Sequence, residues 1–178
     1  LINRTSSPRL VEPGPNQEQL QNLVRSALRA ADHALLQPWR FISIAGESRS
    51  KLGKLFTEAA LLANPNMSPA EQEKRYSKAL RAPLILVVVS RSMEHPKVPK
   101  IEQTLSAAAA TQNILLAAYA QGVGAVWRTG DMAYADKVKQ GLGLDSNEAI
   151  IGFIYLGTPA APPRTAPEVN TSDFLSEW

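Results

Sequence analysis

Leu20, Leu23, Val24, Ala27, Leu28 and Ala31 recur at the three- and four-residue spacing that gathers side chains on one face of a helix. Asn16, followed three positions later by Gln19, has the form of a reciprocal cap, so this spacing predicts a first helix from about residue 17 to 32. Phe41-Ile42-Ser43-Ile44 reads as a short strand entered through the turn Gln37-Pro38-Trp39. Leu52, Leu55, Phe56, Ala59 and Ala60 mark a second helix over Ser48 to Leu62, broken by Asn64-Pro65-Asn66. Ser68-Pro69-Ala70-Glu71 opens a third, with proline at the first helical position. The unbroken run Leu84-Ile85-Leu86-Val87-Val88-Val89 predicts a strand buried on both faces.

Pro99 opens the longest helix, to about Gln121; alanine-rich and apolar nearly all round, it must be covered on several sides, as a central helix or at a dimer interface. Ala125-Val126-Trp127 and Ile150 to Leu156 read as strands, with a short helix from Tyr134 to Gln140 between them. A proline-rich tail follows Gly157 and ends in Phe174, Leu175 and Trp178, apolar anchors that should pack on their own domain or on a partner subunit. Four strands and about five helices make an α+β fold, helices on a mixed central sheet, in one domain spanning residues 1–178.

Composition narrows the chemistry. The chain has no cysteine and only two histidines, His33 and His95, which excludes thiolate metal sites, a cysteine nucleophile and a three-histidine metal centre. No metal site and no catalytic side chain of its own is assigned. The net charge of +3, from 19 basic and 16 acidic residues without a like-charge block, gives little support to nucleic-acid binding. No apolar stretch reaches the roughly 20 residues of a membrane span, and no signal-peptide pattern is present, so a cytoplasmic protein without membrane partners is expected. Serine and lysine appear in no activating motif, and Gly122-Val123-Gly124 leads out of a helix into a strand, the reverse of a dinucleotide fingerprint. An enzyme with this inventory would draw its reactivity from an organic cofactor.

Arginine supplies the positive candidates. Arg4-Thr5-Ser6 with Arg9 offers guanidinium groups and hydroxyls suited to phosphate, or else a solvated terminus. Arg29 and His33 lie four apart near the end of the first helix, where they could equally serve its dipole. Trp127-Arg128-Thr129-Gly130 leaves a strand end, either as a polar turn or as a ligand-binding one.

In chain order, Ile2-Asn3-Arg4-Thr5-Ser6, Arg29-Ala30-Ala31-Asp32-His33, Gln37-Pro38-Trp39-Arg40-Phe41, Arg81-Ala82-Pro83, Val98 to Gln103, Gln121 to Gly130 and Gly152 to Pro159 resemble the FMN-dependent nitroreductase family, in its small single-domain NAD(P)H branch. That resemblance implies an intertwined homodimer with FMN at the subunit interface and NAD(P)H as electron donor. It further implies ping-pong hydride transfer through the flavin N5 to small acceptors such as nitroaromatics or quinones. By the same match, Arg4, Thr5 and Ser6 would hold the phosphate and ribityl end. Trp127, Arg128 and Thr129 would line the flavin of the same subunit, and Arg29 and His33 that of the other. A backbone amide near Thr129-Gly130 would face N5. Many relatives read Arg-Arg-Ser where this chain has Arg4-Thr5-Ser6, leaving Arg9 as the reserve cation. Leu35 stands where the wider family has asparagine, with His33 as the candidate replacement. Two alternatives stay open: flavin-dependent dehydrogenation of a dedicated metabolite, and flavin binding without turnover.

Overall fold

The computed structural model describes residues 1–178. Its elements are β1 (Leu10–Val11), α1 (Gln17–Ala27), β2 (Trp39–Ala45), α2 (Ser48–Ala63), α3 (Pro69–Tyr76), β3 (Leu84–Arg91), α4 (Lys100–Ala120), β4 (Gly124–Arg128), α5 (Asp136–Gly141) and β5 (Glu148–Pro159). Single 3-10 turns lie at His33–Leu35, Ser77–Leu80, Asp131–Ala133 and Thr171–Asp173. Both capping boxes form: the Gln19 amide donates to Asn16 Oδ1 at 2.8 Å, and the Ser68 amide to the Glu71 carboxylate at 2.8 Å.

β5 is the hub of the sheet. It pairs with β3 along one edge and β4 along the other, β1 joins its last two residues, and β2 lies outside β3. A mixed sheet is expected from the sequence, but all four pairings are antiparallel. The apolar run of β3 reflects cover on both faces, which here comes from helices packed on each side rather than from parallel crossovers.

Alternation along the strands divides the interior into two cores. Ile85, Val87, Val89, Phe153 and Tyr155 face α2 and α5, with Phe56 set edge-on to Phe153 at 5.3 Å. Leu84, Leu86, Val88, Ile154 and Leu156 face α1 and α4. Between Val88 and Val89 the register slips by one residue, because β5 carries Ile151 as an extra residue between Ile150 and Gly152.

Two other expectations change. Helix α1 stops at Ala27, its last buried residue; Leu28 and Arg29 are exposed, so there is no apolar face to prolong the helix, and Arg29 and His33 do not share one. The end of the tail does not pack on its own domain, for Phe174, Leu175 and Trp178 are exposed. Helix α4 buries Ala107, Ala110, Ile114 and Ala118 but leaves Ile101, Leu105 and Tyr119 open.

One buried ion pair ties the rim of the sheet together. Glu148, with only 2% of its side chain exposed, takes Arg40 Nε at 2.5 Å and Nη2 at 2.6 Å, and also accepts the Asp145 amide at 3.0 Å. These bonds, led by Arg40, hold the Glu148 carboxyl below the usual range and hold Arg40 above its own. A carboxyl with a depressed folded-state pKa stabilises the fold above its unfolded pKa, and that stabilisation fades as pH falls through the folded value. Glu148→Gln should lower the unfolding free energy by about 2–3 kcal/mol at pH 7, less than for a fully buried pair because Arg40 is partly exposed. In urea unfolding, the gap between wild type and variant should close on acidification below about pH 4.

Candidate functional site

Strand β4 brings two neighbouring residues to opposite faces of the sheet. Trp127 packs on the α1/α4 side, and its indole Nε1 donates to the Ile151 carbonyl at 3.1 Å, the residue of the bulge. Gly152 makes the room for it: a Cβ there would stand 2.1 Å from Trp127 Nε1. Arg128 turns to the other face, its guanidinium 5.7 Å from the centre of the Tyr155 ring.

Around Arg128 lies a cavity of about 330 Å³. Its cations are Lys78, Arg81 and Arg128; Phe56, Phe153 and Tyr155 form an aromatic wall, and Thr129-Gly130 supplies exposed backbone. The single acid, Asp131, is engaged by Arg75 and lies 3.9 Å from Lys78. Burial, followed by the nearby Arg75 charge, pushes the Lys78 ammonium down, while burial pushes the Tyr155 hydroxyl up against the pull of Arg128 and Arg81. Arg128 Nε is buried without a hydrogen-bond partner. Gly130 takes φ +65°, a left-handed turn in which a side chain is strained.

The N-terminal segment is laid against this strand. The Ser7 amide donates to the Ala125 carbonyl at 3.0 Å, and Arg128 Nη2 reaches the Pro8 carbonyl at 3.4 Å. Two clefts flank the segment. Arg4 and Thr5 line one with Tyr119 and Gly124; Ser6, Ser7 and Arg9 line the other with Arg164. Thr5 Oγ1 donates to the Arg164 carbonyl at 3.2 Å, so the start of the tail is tied to the start of the chain.

Of the residues singled out from sequence, Arg4 and Thr5 line a cleft on the α1/α4 side, Ser6 lines the neighbouring cleft, and Arg128 and Thr129 line the cavity on the α2 side, with the Arg128 contact to Pro8 linking the cavity to the N-terminal segment. Trp127 lies on the opposite sheet face from Arg128. Arg29 and His33 lie beyond the end of α1, where His33 Nδ1 is 2.8 Å from Glu102 Oε2. Within one chain these three groups share no cavity. Lys78 and Arg164 were not singled out, and Arg81 stood only in a family-matching segment, with no site role assigned to it. Nothing in the local sequence marks a site role for them, because only the fold brings them beside Arg128 and the N-terminal arginines.

The sequence profile of the nitroreductase family matches residues 4–158. "Putative NAD(P)H nitroreductase YdjA" of Escherichia coli K12 is 40% identical over 173 residues, covering 97% of this chain and 92% of that protein. The chain belongs to the nitroreductase family. Among solved structures, a nitroreductase-like protein from Bacillus cereus superposes on this family member with a TM-score of 0.82 at 23% identity, covering 99% of this chain and 92% of that one. A Desulfovibrio desulfuricans protein described as "a putative nitroreductase in complex with fmn" superposes with a TM-score of 0.74 at 24% identity, covering 98% and 92%. These neighbours share the arrangement of one sheet between two helical layers.

Gly152→Ala should expel the Trp127 indole and uncap the Ile151 carbonyl, lowering stability by about 2–4 kcal/mol. Chemical unfolding with tryptophan emission as the readout measures both the loss and the exposure of the indole.

Proposed function

We propose that this family member is an FMN-dependent oxidoreductase that passes hydride from NAD(P)H to small acceptors such as nitroaromatics or quinones. The observation that carries the reading is the aromatic-walled cavity around Arg128, with three cations and a buried guanidinium nitrogen that has no partner. Such a wall and charge suit a flat, electron-poor ring that becomes anionic on reduction. FMN, when bound, supplies the two-electron chemistry.

The chain's own groups do the rest. Arg4, Ser6 and Arg9, with Arg164, offer guanidinium and hydroxyl donors to the phosphate. Arg128, Lys78 and Arg81 stabilise negative charge on the ring, and the exposed backbone of Thr129-Gly130 offers an amide to its reacting edge. Trp127 acts from behind the strand, holding the β4–β5 register that aims Arg128.

Arg29 and His33 belong to the site through a second copy of the chain. Support comes from the apolar surface left open: Ile101 at 63% and Leu105 at 59% exposure on α4, and Phe174 at 82% in the tail. Covering both in an intertwined homodimer removes them from water and brings the end of α1 toward the partner's cavity.

The purified chain should be yellow, carry FMN, and lose its visible absorption under anaerobic NADH or NADPH. A colourless protein that cannot be reconstituted with FMN refutes the reading. Arg128→Ala should raise the FMN dissociation constant about tenfold to a hundredfold, measured by flavin fluorescence quenching.

A further inference from the structure

The segment between α1 and β2 is held in an unusual shape. Ala34, Leu35 and Gln37 take φ of 63°, 54° and 48°, and none of them is glycine. Non-glycine residues stay in the left-handed region only where their surroundings over-determine them. Asp32 supplies part of that restraint: its carboxylate accepts the Gln37 amide at 2.7 Å and its carbonyl the Leu35 amide at 3.2 Å. The other restraint comes from far along the chain. His33 Nδ1 lies 2.8 Å from Oε2 of Glu102, in the first turn of α4.

An ionised carboxylate can only accept, so the proton of this bond sits on Nδ1. In the neutral imidazole Nε2 is then bare and can only accept in its turn. Glu102 stands beside Ile101 and one turn before Leu105, at the head of the open apolar row of α4. The His33 ring, itself more than half exposed, is therefore anchored at the border of the face available to a second copy.

We propose that Glu102 is a positioning residue for His33: it fixes the Nδ1–H tautomer and presents bare Nε2 as a hydrogen-bond acceptor toward FMN held mainly by the partner subunit. The proposal rests on the flavin reading above and adds a residue and a tautomer to it.

Two measurements test it, one of them independent of flavin. Long-range proton–nitrogen NMR on flavin-free, full-length protein in mildly alkaline buffer reads the tautomer, and His95→Gln assigns the two histidines. Wild-type His33 should show a protonated Nδ1 and a bare Nε2, and Glu102→Ala should release it toward the Nε2–H form. A wild-type ring protonated at Nε2, or a spectrum indifferent to Glu102→Ala, overturns the proposal.

The second measurement is FMN affinity by fluorescence quenching. Glu102→Ala should weaken it about three- to tenfold. The same change should add nothing in a His33→Ala background, since both remove one interaction. Additive losses, or an affinity unmoved by Glu102→Ala, overturn the proposal. A protein that takes up no FMN defeats the flavin reading, and the proposal with it, while the NMR result still reports separately on the pairing of His33 with Glu102.

Discussion

The structure depends on β5 being enclosed in every direction. Its backbone is paired on both edges, and its side chains are covered on both faces by separate helical layers. A strand so placed has no free hydrogen-bonding edge where β3 and β4 flank it, and it transmits its register to both neighbours. Because β3 and β4 read their alignment from it, the end of β4 is fixed relative to helix α2, which carries Phe56, and to the 3-10 turn that carries Lys78. The cavity around Arg128 is the product of that alignment, not of any local motif.

Within this frame the bulge at Ile151 matters more than its single residue suggests. It shifts the inward and outward phase of β5, so that Ile150 and Phe153 both reach the α2 side although three residues apart. The carbonyl it sets free is taken by Trp127. Packing and the candidate site are thus coupled through one side chain that faces away from the cavity.

The regular elements were legible because their signals are local. The caps at Asn16 and Ser68 are where the spacing places them, and the apolar run at Leu84 to Val89 is a strand buried on both faces. Helix α1 reads too long because Leu28 and Ala31 continue its periodicity after the core surface has ended. The antiparallel pairing was not legible, since an apolar run records cover and not direction. Arg4, Thr5, Ser6, Arg128 and Thr129 could be chosen by the chemistry of their short segments and by family resemblance. Lys78 and Arg164 could not, because each owes its place to contacts between distant parts of the chain, and Arg81, though part of a family-matching segment, gains its place beside Arg128 in the same way. The bond from His33 to Glu102 spans 69 positions and leaves no trace in either local pattern.

The fit of Trp127 over Gly152 also has a bearing on how this sequence can drift. The two positions behave as a matched volume, one residue large because the other is absent as a side chain. Enlarging position 152 first meets a steric barrier, whereas shrinking position 127 first opens a void that a later side chain at 152 can fill. Mutational routes between these states are therefore ordered, and the path that begins at the indole is the passable one.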